Sequence, residues 1–211
     1  MRAITMLITL AILVTAQPAI ADWQQDLDAL LREPDGPERE DLIEQIVESR
    51  PPWRDVAMRL GSVDFQPTED AGTSVLLHRV CLDSVERPWV FRVPESYDHR
   101  RPASLLVVLH GGASYPEIRD DPVGYAEESE LANMALENGW IAALPFAQEG
   151  ATWWDEVGMA NIRAIVREAK VRYNIEDDRV WMVGFSDGAS AGFLHAMVLP
   201  DDYAGFVALN G

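Results

Sequence analysis

The sequence predicts an α/β domain, a three-layer αβα sandwich on a mostly parallel sheet, with a small helical prefix in front of it. Two observations carry that expectation. Four short runs, residues 105–109, 140–144, 180–183 and 206–209, are apolar throughout, as strands covered on both faces must be. The stretches between them carry helical spacing, clearest at Ile162, Ile165, Val166, Ala169 and Tyr173. Strands alternating with helices build a parallel sheet wrapped on both sides.

The chain opens with a segment that reads as an address. Arg2 gives a positive start, residues 3–14 form an apolar run, and Ala19-Ile20-Ala21 is a small-x-small cleavage pattern before Asp22. That run is shorter than the roughly 20 residues a bilayer span requires. Residues 1–21 are therefore expected to be a cleaved signal peptide, no stable membrane anchor remains, and the mature protein is expected to be secreted or periplasmic. Residues 22–70 form the prefix. Trp23, Leu27, Leu30 and Leu31 recur at helical spacing, Pro34-Asp35-Gly36-Pro37 interrupts it, and Leu42, Ile43, Ile46 and Val47 resume it until Pro51-Pro52. Residues 71–211 hold the main domain. Its first two strands, near residues 73–82 and 89–93, alternate with period two and suit an antiparallel pair at the sheet edge.

Composition narrows the partners. The formal net charge is -18, and Lys170 is the only lysine. A surface of that sign repels phosphate backbones, and no basic patch offsets it, so nucleic acid is not an expected partner. Cys81 is the single cysteine, which leaves no internal disulfide even in an oxidising compartment. It is read as a small buried residue. No nucleotide-binding fingerprint occurs, and neither His78 nor His99 has partners at metal-ligand spacing. No cofactor and no metal are expected. The sequence leaves the oligomeric state open.

The chemistry concentrates at Gly184-Phe185-Ser186-Asp187-Gly188, which follows an apolar strand and opens a helical stretch. A serine on a sharp strand-to-helix turn sits in a strained backbone, and glycines two residues either side remove clashing side chains. Ser186 is the candidate nucleophile. The second signal, His110-Gly111-Gly112-Ala113, directly follows the strand ending at Leu109. Glycines there let backbone N–H groups approach a reacting carbonyl. The oxyanion donors are read as the N–H of Asp187 and one from Gly112 or Ala113, with His110 shaping the loop rather than acting as base.

These two motifs, in this order on consecutive parts of one sheet, make the chain resemble the α/β-hydrolase superfamily. The segments that carry the likeness are residues 179–190 (RVWMVGFSDGAS) and 105–113 (LLVVLHGGA). Within the superfamily it is similar to secreted esterases and predicted peptidases near the polyhydroxybutyrate depolymerases and feruloyl esterases. The resemblance covers residues 73–211. It implies hydrolysis of a small-molecule or polymeric ester through an acyl-enzyme at Ser186, with a secreted serine peptidase as an alternative.

The remaining candidates are weaker. Trp153 and Trp154 follow the strand ending near Pro145 and are candidate substrate-lining residues, with loop packing an equal reading; Asp155 is read as a cap or turn. Ser190 and His195 lie in the helix after the nucleophile and are read as structural. In this superfamily the triad runs serine, acid, histidine, yet no histidine follows His195, and Asp201 and Asp202 fall too early for the acid. The chain is therefore expected to be a fragment, its sheet truncated after about six strands, without ester turnover and prone to aggregate. A non-catalytic hydrolase-like binding module is the alternative.

Overall fold

The structure is a computed structural model and describes residues 22–31, 33, 37–61, 65–116 and 120–211. The segment expected to be a signal peptide lies outside these residues, as does the predicted break at positions 34–36. The chain forms two compact units, residues 1–61 and 62–211.

The first unit is helical. Helix α1 (Trp23–Leu30) starts at Asp22, whose carboxylate accepts from the Gln24 N–H. Helix α2 spans Pro37–Ser49 and α3 spans Trp53–Leu60. Pro51 and Pro52 separate the last two, as proline must when it supplies no N–H and clashes with the preceding turn. The unit is held by polar ties more than by a core. Arg39 donates to the carbonyls of Leu30 at 2.6 Å and Glu33 at 3.2 Å, satisfying acceptors left open at the end of α1. Arg59 pairs with Asp28.

The second unit is built on one six-stranded sheet: β1 (Ser74–Val80), β2 (Glu86–Arg92), β3 (Ala103–Leu109), β4 (Ile141–Pro145), β5 (Ile175–Phe185) and β6 (Gly205–Leu209). Their spatial order is β1-β2-β4-β3-β5-β6. The pairs β1–β2 and β2–β4 are antiparallel, and all others are parallel. The expected antiparallel pair is present. Of that pair only β1 is an edge strand, since β2 also bonds to β4.

Alternation along β3 explains the layers. Leu105, Val107 and Leu109 face one core with Phe91, Ile141, Ile162, Ile165 and Met182. Leu106 and Val108 face the other with Val90, Leu144, Phe146 and Val183. Helix α6 (Glu156–Arg172) covers the first face with the apolar stripe read from the sequence. Two short helices, α4 (Pro122–Glu128) and α5 (Glu130–Glu137), cover the second through Ala126, Ala132 and Ala135. Helix α7 (Asp187–Val198) packs on β5, β6 and β3 and leaves Phe193, Met197 and Val198 exposed, as are Val207 and Leu209 of β6. Cys81 is buried and unpaired just after β1. No described helix is long and apolar enough to cross a membrane.

Candidate active site

The carboxyl ends of β3, β4 and β5 lie side by side, so the loops that follow them converge. Parallel strands with helical crossovers place ligands at that edge. At the end of β5 the chain turns into α7 within one residue. Ser186 takes φ 53° and ψ −116°, a region that costs a residue with a Cβ about 1–3 kcal/mol. The turn is held from both sides: the Ser186 N–H donates to Leu209 O of β6 at 3.0 Å, and its carbonyl accepts from Ala189 at 2.9 Å and Ser190 at 3.1 Å. Gly184 and Gly188 are required by contact. A Cβ on Gly184 would strike the Gly188 backbone, and one on Gly188 would strike the Leu109 carbonyl. Ser186 is half-buried at the N-terminus of α7, where the open N–H groups of the first turn favour negative charge.

The loop after β3 lies against this turn. A Cβ on Gly111 would sit 3.1 Å from Ser186 Cβ and 3.3 Å from the Phe185 carbonyl, so glycine lets the loop approach without the neighbours giving way. Gly112 has φ +64°, and the Tyr115 ring fills the space its Cβ would take. The Tyr115 N–H closes the turn on the Gly112 carbonyl at 3.0 Å. The Ala113 N–H donates to Asp187 Oδ2 at 3.0 Å, tying the loop to the residue after Ser186.

His110 holds the loop from beneath. The Ala147 N–H can only donate, so Nε2, 3.0 Å away, accepts. The proton is thereby placed on Nδ1, which donates to the Gly111 carbonyl at 2.8 Å. The His110 carbonyl accepts from Trp153 Nε1 at 2.9 Å, and the ring stacks on Phe146 and meets Trp153 edge-on. Burial pushes the imidazole pKa down, against the smaller pull of the Gly111 carbonyl and the Asp187 charge. A neutral ring with both nitrogens engaged has no free position from which to take a proton from Ser186.

No family model matches the sequence, and no curated protein matches it. Solved structures do match the fold. A thermostable esterase superposes with a TM-score of 0.54 at 20% identity, over 64% of this chain and 40% of its own length. The chain has the α/β-hydrolase fold. FphF, a fluorophosphonate-binding serine hydrolase of Staphylococcus aureus, matches with a TM-score of 0.53 at 17% identity, over 65% of this chain and 56% of its own. The feruloyl esterase module from Clostridium thermocellum matches with a TM-score of 0.52 at 16% identity, over 68% and 55% respectively. The chain thus spans only about half the length of the structures it resembles, 40% to 56% of each.

Within this hydrolase fold the candidates read from the sequence separate into groups. Ser186, Asp187, Gly111, Gly112 and Ala113 come together at one edge of the sheet. Trp153 and Trp154 divide. Trp153 is 1% exposed and spends its N–H on His110, whereas Trp154 is 46% exposed and is the member of the pair accessible to a ligand. Asp155 caps α6, accepting from the Gly158 N–H at 2.8 Å and from Thr152 twice at 2.6 Å. Burial pushes its carboxyl up, but these hydrogen bonds outweigh it and hold the pKa below the usual carboxylate range.

His195 is fully buried, 3.3 Å from the Trp153 carbonyl, with burial pushing its pKa down. Asp202 pairs with Arg163 at 2.9 Å. His78 is exposed, His99 lies beside Asp98, and no metal-holding group of side chains occurs among the described residues. The sequence reading missed Phe185 and Tyr115, 49% and 66% exposed, the first beside Gly111 and the second beside Gly112. Their positions inside the two motifs were the available signal.

Proposed function

We propose that this chain carries the nucleophile half of a secreted serine hydrolase acting on carboxylic esters. The observation that carries the reading is the strained Ser186 turn packed directly against the Gly111–Gly112 loop. In the reaction, Ser186 Oγ attacks the ester carbonyl and loses its proton to a general base. The carbonyl oxygen becomes an oxyanion held by backbone N–H groups of this loop and of Asp187. The tetrahedral adduct then collapses to an acyl-enzyme, the base returning its proton to the leaving alcohol, and water repeats the sequence to release the acid. The likeness in fold to esterases and a serine hydrolase supports the class. Residues 1–21 supply the export signal, and Trp154 lines the acyl or alcohol site.

The base is the open part of this mechanism. Of the four histidines, His110 and His195 are buried and neutral, and His78 and His99 precede β3. The base and its acid are accordingly assigned to sequence after Gly211. The same observation favours a second reading, a hydrolase-like binding module without turnover; a serine peptidase would use the same turn.

Fluorophosphonate labelling and p-nitrophenyl acetate hydrolysis, each with Ser186→Ala as control, test the proposal. The 211-residue chain should show no Ser186-dependent turnover, while a longer gene product with a downstream histidine should label and turn over at Ser186. Ser186-dependent hydrolysis by the 211-residue chain would overturn the assignment of the base. A longer product that never labels would overturn the hydrolase reading in favour of the binding module.

A further inference from the structure

We propose that Asp187 is a positioning residue whose carboxylate clasps the β3 loop to the nucleophile turn, committing the Ala113 N–H to itself and leaving the N–H groups of Gly112 and Asp187 as the donor pair. The catalytic consequence rests on the serine-hydrolase reading; the clasp itself does not.

Three observations carry it. Ala113 is 1% exposed, so its N–H cannot turn to bulk water and must find an acceptor in the fold. The acceptor is Asp187 Oδ2 at 3.0 Å, from a residue 74 positions away. A bond from a buried N–H to a carboxylate is charge-assisted, stronger than a neutral one, and here the acceptor is tethered to the adjoining turn. A substrate oxyanion would have to displace it, so Ala113 is an anchor.

The loop touches the nucleophile one residue before Gly112, since Gly111 packs on Ser186 Cβ. The next N–H along the chain is that of Gly112, and among the described residues it has no acceptor. The Asp187 N–H, at the first position of α7, has no intrahelical acceptor either. Asp187 thus works at both ends. Its backbone serves the oxyanion and its side chain fixes the distance to the partner donor. A carboxylate beside a developing negative charge would ordinarily oppose it, and engagement with Ala113 gives that charge a partner.

The test compares Asp187→Ala and Asp187→Asn, the second keeping an acceptor oxygen. Amide exchange and the ¹H–¹⁵N spectrum are read at Ala113 in the 211-residue chain. The wild-type Ala113 amide should be protected. Asp187→Ala should speed its exchange roughly tenfold or more, the factor expected from one charge-assisted bond. Asp187→Asn should restore most of the protection, and amides across β5 and the rest of α7 should hold still. An Ala113 amide indifferent to Asp187→Ala overturns the clasp. If that variant does not fold, an Ala113 resonance unmoved by Asp187→Asn overturns it instead.

In a chain with Ser186-dependent turnover, Asp187→Ala should lower kcat about 100-fold with KM nearly unchanged, as for a mispositioned oxyanion donor, and Asp187→Asn should recover most of it. A loss confined to KM would overturn the positioning role. A longer product inert at Ser186 would instead overturn the hydrolase reading, and the Ala113 amide then decides the clasp alone.

Discussion

Ser186 holds a backbone conformation that its own side chain disfavours, at φ 53° and ψ −116°. Such strain persists only where the surroundings over-determine it, and here the Leu209, Ala189 and Ser190 hydrogen bonds do so. Ser186→Gly should therefore raise stability, even though glycine gives up more freedom on folding. The expected net gain is about 1 kcal/mol, or roughly 2–4 °C in Tm for a domain of this size. Scanning calorimetry of Ser186→Gly beside Ser186→Ala, which keeps the Cβ, checks it. A glycine variant melting no higher than the alanine variant would show that the turn is unstrained. At this scale the sequence was legible wherever geometry is written into residue type: Gly184 and Gly188 are glycine because backbone occupies the space a Cβ needs. Contacts between side chain and distant backbone were not. Nothing in the pattern pairs Asp187 with Ala113, or His110 with Ala147 some 37 residues on.

Elements show the same division. β3 and β4 were legible because both faces of each strand are buried, and α6 because it is long enough to show a stripe. β6 is as apolar in sequence, yet Val207, Ala208 and Leu209 are exposed, because it is the last strand of the sheet. β5 extends well before its apolar part, since Glu176, Asp177, Asp178 and Arg179 occupy the partly or fully exposed start of the strand and hide it. Helices α4 and α5 are seven and eight residues long and bury mainly alanines, too short and too small a signal for a period of 3.6. The loop between β4 and α6 matters more than its sequence suggests, because Trp153 braces the His110 carbonyl from it. Trp153→Phe keeps the aromatic packing but leaves that buried carbonyl unpaired, which should cost about 1–3 kcal/mol. Urea unfolding measures it. Because His110 sits at the root of the β3 loop, amide exchange at Ala113 and Tyr115, whose N–H groups are hydrogen-bonded there, should also rise. A variant with unchanged midpoint and unchanged loop exchange would show that the bond carries nothing.

For the whole molecule, the buried histidines set how stability responds to mild acid. His110 and His195 both have pKa values lowered by burial, which disfavours the charged ring. In the unfolded chain each titrates near about 6.5. Between the folded and unfolded values the unfolded chain binds more protons, so stability rises with pH in that window. It is fully present above about pH 6.5 and is lost as pH falls towards the folded values. A second loss follows at lower pH, where carboxylates held low by partners must be protonated. Asp83 and Asp98 lie at about 2 through hydrogen bonds from Arg87 and Arg100, and their contribution disappears below about pH 4. Relief of repulsion among the excess acidic residues works the other way as carboxylates gain protons, but it begins near that same pH 4. The interval from pH 6.5 to 5 therefore belongs to the histidines. Tm should be flat from pH 8 to 7 and fall between 6.5 and 5. His195→Leu, which removes one titrating ring while keeping the site filled, should shrink that fall. A wild-type Tm that holds or rises from pH 7 to 5 would show that neither ring is buried neutral, and the bracket drawn around His110 would lose its basis.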